Sequence, residues 1–306
     1  MRNTCLNMVY ELAQQDPRVV YIGSDPGPGT LSKMQAAYPD RFFIEGISEQ
    51  NVIGMAAGLA MAGYIPYVNT IATFLTRRCL EQVAVDVCLH QLPVRLIANG
   101  GGMVYAPLGP THTAIEDIAL MRALPGMAVV VPTDAEDMRS FMPSTLQWPG
   151  PMYIRLAKGK DPVVANPLGR FDIGVGRAYG EPGEVLLVAT GIMVHAALEA
   201  ANGLRASGVD CAVLSLPTVV PMDVALLTQM TEKARLVVTV EEHLRDGGLG
   251  TAVLETLADL PRPMPVIRRL GLPVAFRHQY GSQANHLQAE GLTAAGIVQT
   301  VQMALN

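Results

Sequence analysis

The residues best placed to do chemistry lie in the stretch Glu45-Gly-Ile-Ser-Glu-Gln-Asn51, which runs directly into Val-Ile-Gly-Met-Ala-Ala-Gly-Leu-Ala. A strand pattern ends there and a helix pattern begins, with Ser48 at the capping position and Glu49 in the first turn. An acid in a first turn complements the helix macrodipole, and that alone is sufficient reason for it. The following residues supply a second reason. Gly54, Ala56, Ala57, Gly58, Ala60, Ala62 and Gly63 leave the helix without bulk on any face, so it packs closely on a neighbour and carries the Glu49 carboxyl into that contact. His112 follows Gly-Pro-Thr and falls on a loop after a strand, where α/β sheets place their sites; a solvated loop histidine is the plainer alternative. Arg155 closes a strand, and a salt bridge between domains would explain it as well as any ligand. Phe74 and Arg77 read, from position alone, as a core ring and a surface charge.

Two other clusters imitate sites. Gly23-Ser-Asp25-Pro-Gly27-Pro-Gly29 follows a strand like a dinucleotide-binding turn, but Pro26 and Pro28 remove N–H groups that a phosphate cradle needs, and the glycine spacing is wrong. Glu241, Glu242 and His243 could be taken for a metal cluster. The four cysteines, Cys5, Cys79, Cys88 and Cys211, show no metal spacing and read as buried thiols in a reducing compartment.

The elements that must position these residues are those of an α/β protein. Half of the 306 residues are hydrophobic, only 16% are charged, and the net charge is −5. That balance lacks the basic stripe needed for nucleic acid, and the pair Arg77–Arg78 is the one short basic cluster of interest. The uncharged run from Asn51 to Thr76 is broken by Pro66, Asn69 and several threonines and glycines, so it falls short of the ~20 apolar residues of a membrane span. The chain reads as soluble and cytoplasmic, with no signal segment. Short β-branched runs at Val19–Gly23, Phe42–Gly46, Ile65–Thr70, Val94–Ala98, Ala128–Val131 and Tyr153–Leu156 alternate with helix patterns such as Asn51–Ala62 and Arg77–His90. A second block has strands at Val185–Ala189, Ala212–Leu216 and Leu236–Val240, with helices around His195–Ser207, Met222–Glu232 and Thr293–Ala304. This alternation predicts two doubly wound domains with mostly parallel sheets. They would span residues 1–160 and 185–306, joined over 161–184 by a linker rich in glycine, proline and charge.

The motifs together resemble one family. Gly-Ile-Ser-Glu-Gln-Asn and its small-residue helix are similar to the catalytic segment of transketolases and deoxyxylulose-phosphate synthases. Thr73-Phe74-Leu75-Thr76-Arg77 resembles the segment that packs on the aminopyrimidine of thiamine diphosphate. Gly109-Pro110-Thr111-His112, Ile115-Glu116-Asp117, Val131-Pro132-Thr133-Asp134 and Tyr153-Ile154-Arg155 continue the likeness in order, and Val240-Glu241-Glu242-His243 with Gly247-Gly248-Leu249-Gly250 resembles the transketolase C-terminal domain. The resemblance implies a pyrimidine-binding domain followed by a transketolase C-terminal domain. It implies that Glu49 hydrogen-bonds the pyrimidine nitrogen, favouring the imino form that deprotonates the thiazolium carbon. Phe74 would stack on that ring, Arg77 would line the same pocket, and Asp25 would lie near the thiazolium. His112 would bind substrate oxygen and move protons, Arg155 would grip a phosphate, and Glu241 to His243 would be structural.

Two departures from the family pattern shape the expectation. No Gly-Asp-Gly occurs in the chain, so hard oxygen ligands for Mg²⁺ and the diphosphate are missing, and no metal ligand is expected here. The resemblance then implies half of a split enzyme, with an N-terminal transketolase subunit supplying Gly-Asp-Gly and its downstream asparagine. Pairing of pyrimidine domains would complete an α2β2 assembly. Second, Leu108 stands where transketolases place an aspartate that reads a sugar hydroxyl, and Asn99-Gly100-Gly101 replaces their Thr-His-Asp. Loss of a hydroxyl-reading carboxylate changes specificity, so the cofactor half of the site looks complete and the sugar half altered. Ketol transfer is the first expectation; a decarboxylating synthase or a 2-oxo-acid dehydrogenase β-like subunit is the alternative, and a non-catalytic subunit a third.

Overall fold

The computed structural model describes residues 1–24, 31–157, 159, 162–164 and 171–305. Six strands of the N-terminal half, β1 (Val19–Gly23), β2 (Phe42–Ile44), β3 (Ile65–Ile71), β4 (Arg95–Asn99), β5 (Ala128–Val130) and β6 (Met152–Leu156), are mutually parallel. The C-terminal half contributes β7 (Arg177–Tyr179), β8 (Val185–Ala189), β9 (Cys211–Ser215), β10 (Thr218–Val220), β11 (Leu236–Leu244) and β12 (Val266–Leu272). One sheet has seven strands in the order β10-β5-β6-β4-β3-β1-β2, the other five in the order β12-β11-β8-β9-β7. Both are mostly parallel, as the sequence predicts, and each ends on one antiparallel edge strand, β10 against β5 and β7 against β9. Strands β1, β4, β6, β8 and β9 are buried along their whole length. Helices cover both faces, which is why these strands read as unbroken apolar runs.

Three strands escaped the sequence pattern. β7 lies inside the stretch expected to be linker, β10 is flanked by Pro217 and Pro221, and β12 carries Arg268 and Arg269. All three are edge strands, where proline and charge are tolerated and apolar alternation is weak. β10 is the most consequential, because a segment of the second domain completes the sheet of the first. The two domains also share a core. Val129, Val131 and Ile118 of the first pack in one cluster with Leu186, Leu214, Val237 and Leu249 of the second. At about 1.5–3 kcal/mol for each fully buried large aliphatic side chain, that seam is a substantial part of the fold's stability.

The helix expected over Arg77–His90 begins earlier and breaks. It runs as Ala72–Thr76, Leu80–Gln82 and a π turn over Val83–Cys88. The Thr76 hydroxyl donates to the Ala72 carbonyl at 3.1 Å, a back-bond that bends helices. The Glu49–Met61 helix lays Ala56, Ala57 and Ala60 on the sheet, whereas a Cβ added at Gly54 or Gly58 would meet nothing within 4 Å. Its alanines pack closely, as expected, and its glycines line an open face. Ser48 does not cap it by side chain; its hydroxyl turns back to donate to the Glu45 carbonyl at 2.8 Å. Among the described residues no helix is long and apolar enough to cross a membrane.

Candidate active site

The site forms at the carboxyl ends of β1 to β4, where parallel sheets open their crevices. A polar network marks that edge. Asn69 Oδ1 on β3 accepts from Tyr21 Oη at 3.3 Å and from Asn99 Nδ2 at 3.2 Å, and Ser24 donates to Thr70 at 2.6 Å. The chain after β2 turns into the Glu49–Met61 helix, the chain after β3 into the helix bearing Phe74, and the chain after β4 into the loop bearing His112.

Three of the expected site residues meet there. Glu49 is buried, its side chain only 1% exposed, and its Oε2 accepts from Arg78 Nη1. The Arg78 guanidinium lies 4.4 Å over the centre of the Phe74 ring. His112 meets the same ring edge-on, with centroids 5.4 Å apart and planes at 66°. The Thr111 hydroxyl sits 2.9 Å from His112 Nδ1, which orients the imidazole and leaves Nε2 for a ligand. Arg78 is the member that pattern reading missed. Its signal was present: four residues after Phe74, it lies on the same face of a helical turn.

Arg77 points elsewhere. It forms a two-pronged ion pair with Glu116, and its Nη1 donates to the Pro110 carbonyl at 3.0 Å. It thereby braces the His112 loop from the far side and borders an interdomain groove of about 420 Å³, lined also by Ile115, Leu244, Val274 and Phe276. Leu108 is exposed on a 3-10 turn just before Gly109, and a Cβ at Gly109 would meet the Tyr280 ring of the second domain. Asp25 lies outside the described residues.

Arg155 is placed as an interdomain tie. Its side chain is 7% exposed; Nε donates to Asp117 Oδ2 at 2.7 Å, and Nη2 donates to the carbonyls of Ala114 and Glu242. Burial opposes its charge, but Asp117 more than offsets this and raises the guanidinium above its ordinary range. Tyr153 Oη also donates to Asp117, at 2.7 Å. Glu242 accepts from the Met103 N–H at 2.7 Å and from Gln283, and burial pushes its carboxyl up, as it does that of Glu241. His243 Nε2 accepts from the Ala119 N–H at 3.2 Å. Glu242 and His243 therefore form a clasp between domains, while Glu241 accepts from the Leu249 and Gly250 N–H groups within the second domain. Side-chain space is closed beside the clasp: a Cβ at Gly101 would fall 2.5 Å from the Arg155 side chain, and one at Gly102 would overlap the Glu242 carboxyl. Among the described residues no group of His, Cys, Asp or Glu is arranged to hold a metal ion.

A buried carboxyl at a helix start and an aromatic ring with an imidazole at its edge suit a flat heteroaromatic ring. The Arg78 guanidinium demonstrates the fit, since one planar group reaches both Phe74 and Glu49. Two mostly parallel α/β domains in this order are the architecture of the second half of a transketolase-type enzyme, and the comparisons agree. Residues 1–162 match the transketolase pyrimidine-binding domain and residues 177–297 the transketolase C-terminal domain. The chain is 35% identical over 274 residues to an apulose-4-phosphate transketolase subunit of Phocaeicola vulgatus, covering 89% of this chain and 87% of that one. It is 34% identical over 299 residues to the 6-deoxy-6-sulfo-D-fructose transketolase subunit SqwH of a Clostridium species, covering 97% and 92%. With a 1-deoxy-D-xylulose-5-phosphate synthase of a Synechococcus species it shares 35% over 297 residues, 95% of this chain but 45% of that longer enzyme. A solved structure described as a split gene transketolase, inactive beta4 tetramer, superposes with TM-score 0.90 at 38% identity, over 99% of this chain and 97% of that one. The chain belongs to the transketolase family, whose members are thiamine-diphosphate transferases.

Proposed function

We propose that this chain is the pyrimidine-binding subunit of a split transketolase that transfers a two-carbon ketol unit between sugar-phosphate-like substrates. The observation that carries the reading is the buried Glu49 carboxyl joined through the flat Arg78 guanidinium to the face of Phe74, with the His112 imidazole at that ring's edge. An N-terminal subunit bearing Gly-Asp-Gly and its asparagine would hold the diphosphate through Mg²⁺, two copies of each completing the assembly. The open glycine face of the Glu49–Met61 helix, with Ile47 and Met61 exposed beside it, supports self-association there. Four buried free cysteines suit a cytoplasmic location.

Thiamine diphosphate supplies the carbanion chemistry of the family when bound. The chain's own residues prepare it. Glu49 would share a proton with the pyrimidine ring nitrogen, Phe74 would fix the ring plane, and His112 would hold or move a proton at a substrate oxygen through Nε2. Replacing Glu49 with Gln removes the proton sharing while keeping size and shape. In the complex with its partner subunit, hydrogen–deuterium exchange at the thiazolium carbon should slow by about 10²–10⁴-fold at full cofactor occupancy. Exchange at the wild-type rate places the acid elsewhere, with Glu45 next to be tested.

Leu108, exposed on the approach to His112, supports a donor other than an ordinary ketose phosphate. The family relatives named for apulose 4-phosphate and for a sulfo-sugar are consistent with such a shift. Xylulose 5-phosphate should turn over weakly, and Leu108→Asp should improve it; efficient wild-type turnover removes Leu108 as the determinant. The decarboxylating alternative keeps one specific support, Gln50 directly after Glu49 with the likeness to deoxyxylulose-phosphate synthases. Release of CO₂ from pyruvate distinguishes it from ketol transfer.

A further inference from the structure

Arg78 is half-exposed, yet it reaches inward rather than into solvent. From one turn of helix it lays its guanidinium 4.4 Å above the Phe74 ring and donates Nη1–H to Glu49 Oε2. A guanidinium is flat and delocalised, stacks on aromatic faces and carries N–H donors around its edge. Those are the same attributes by which an aminopyrimidine would stack on Phe74 and meet the Glu49 carboxyl. Both groups cannot occupy that face together. Arg77 does not take part, because Glu116 and the Pro110 carbonyl hold it on the other side of the loop.

We propose that Arg78 is a stand-in for the aminopyrimidine, filling the space between Phe74 and Glu49 in the free subunit and swinging out when the cofactor ring arrives. This rests on the reading of Glu49 and Phe74 given above. The arrangement suits an exchangeable group. The Arg78 side chain is 43% exposed, so solvent and salt screen its attraction to Glu49, and it has a clear way out. While it is in place Glu49 keeps a hydrogen-bond partner, and the apolar face of Phe74 stays covered. The consequence is a site that admits thiamine only against competition from its own chain.

The test uses the full chain and thiamine itself, whose binding depends on the pyrimidine end without the diphosphate site. Ligand-observed NMR titration should give about tenfold tighter binding in Arg78→Ala than in wild type, a factor of ten being about 1.4 kcal/mol. Arg78→Lys, which keeps the charge but not the flat plate, should fall between and serves if the alanine variant is unstable. Added guanidinium ion at tens of millimolar, on the order of a weak-site dissociation constant, should displace thiamine from Arg78→Ala. Raising ionic strength should tighten thiamine binding to wild type and leave Arg78→Ala unchanged. Equal, weaker or undetectable binding in Arg78→Ala overturns the stand-in; if Glu49→Gln still slows thiazolium exchange in the complex, the site reading survives that failure. Tight binding that persists in the Phe74→Ala/Arg78→Ala double variant overturns both, since thiamine would then sit away from the ring.

Discussion

Two arginine–carboxylate pairs in this protein use the same groups for opposite ends. Arg155 and Asp117 are 7% and 0% exposed, whereas Arg78 and Glu49 are 43% and 1% exposed. The first pair is closed on every side: Tyr153 donates to the same carboxylate, and the guanidinium also donates to the carbonyl of Ala114 in its own domain and to that of Glu242 across the domain seam. The second pair is closed on the carboxylate side alone. A charge pair surrounded by fixed partners holds architecture, because removing either member strands the other in a low dielectric. A pair with one member in water can be exchanged for a ligand at little cost. Exposure, more than residue type, separates the arginine sealed into the seam from the one left within reach of solvent.

Substitutions can set the two pairs apart experimentally. The largest effect should come from Asp117→Ala, which leaves Arg155 buried without its counter-charge and Tyr153 without its acceptor. A loss of about 3–5 kcal/mol is expected in urea or thermal unfolding, and a loss under 1 kcal/mol would show that water replaces the carboxylate. Next comes Glu242, whose carboxyl is pushed above its ordinary range by burial. The folded state then holds this proton more tightly than the unfolded state, so the group's contribution to stability declines as pH rises from the ordinary carboxylate range through the raised value. Glu242→Gln should flatten that decline and gain stability on the alkaline side, with Glu241, raised in the same direction, retaining part of the slope. An unchanged pH profile of the melting temperature would contradict it. The smallest effect should be that of Arg78→Ala on stability, about 0–1 kcal/mol, because water can solvate Glu49 once the guanidinium is gone. A cost as large as that of Asp117→Ala would mean that Arg78 belongs to the architecture.

Much of the protein was legible in its residues, and the limits are physical. The parallel core strands declared themselves because burial on both faces demands continuous apolar runs. Glu49 and His112 stood out as candidates because their surroundings (a small-residue helix, a Gly-Pro-Thr turn) are local, whereas Phe74 entered only through the family resemblance of its motif. The edge strands β7, β10 and β12 did not, since an edge requires little of its side chains. Arg155 and Arg78 could not be told apart in role by sequence, because each role depends on what stands opposite. Asp117 and the Glu242 carbonyl face Arg155 from elements 38 and 87 residues away, and Glu49 faces Arg78 across 29. Local chemistry determined which elements form and which residues are equipped to react. Only tertiary packing decided which charges are sealed into a seam and which stand open to a ligand, because desolvation depends on every neighbour at once and no single stretch of chain encodes it.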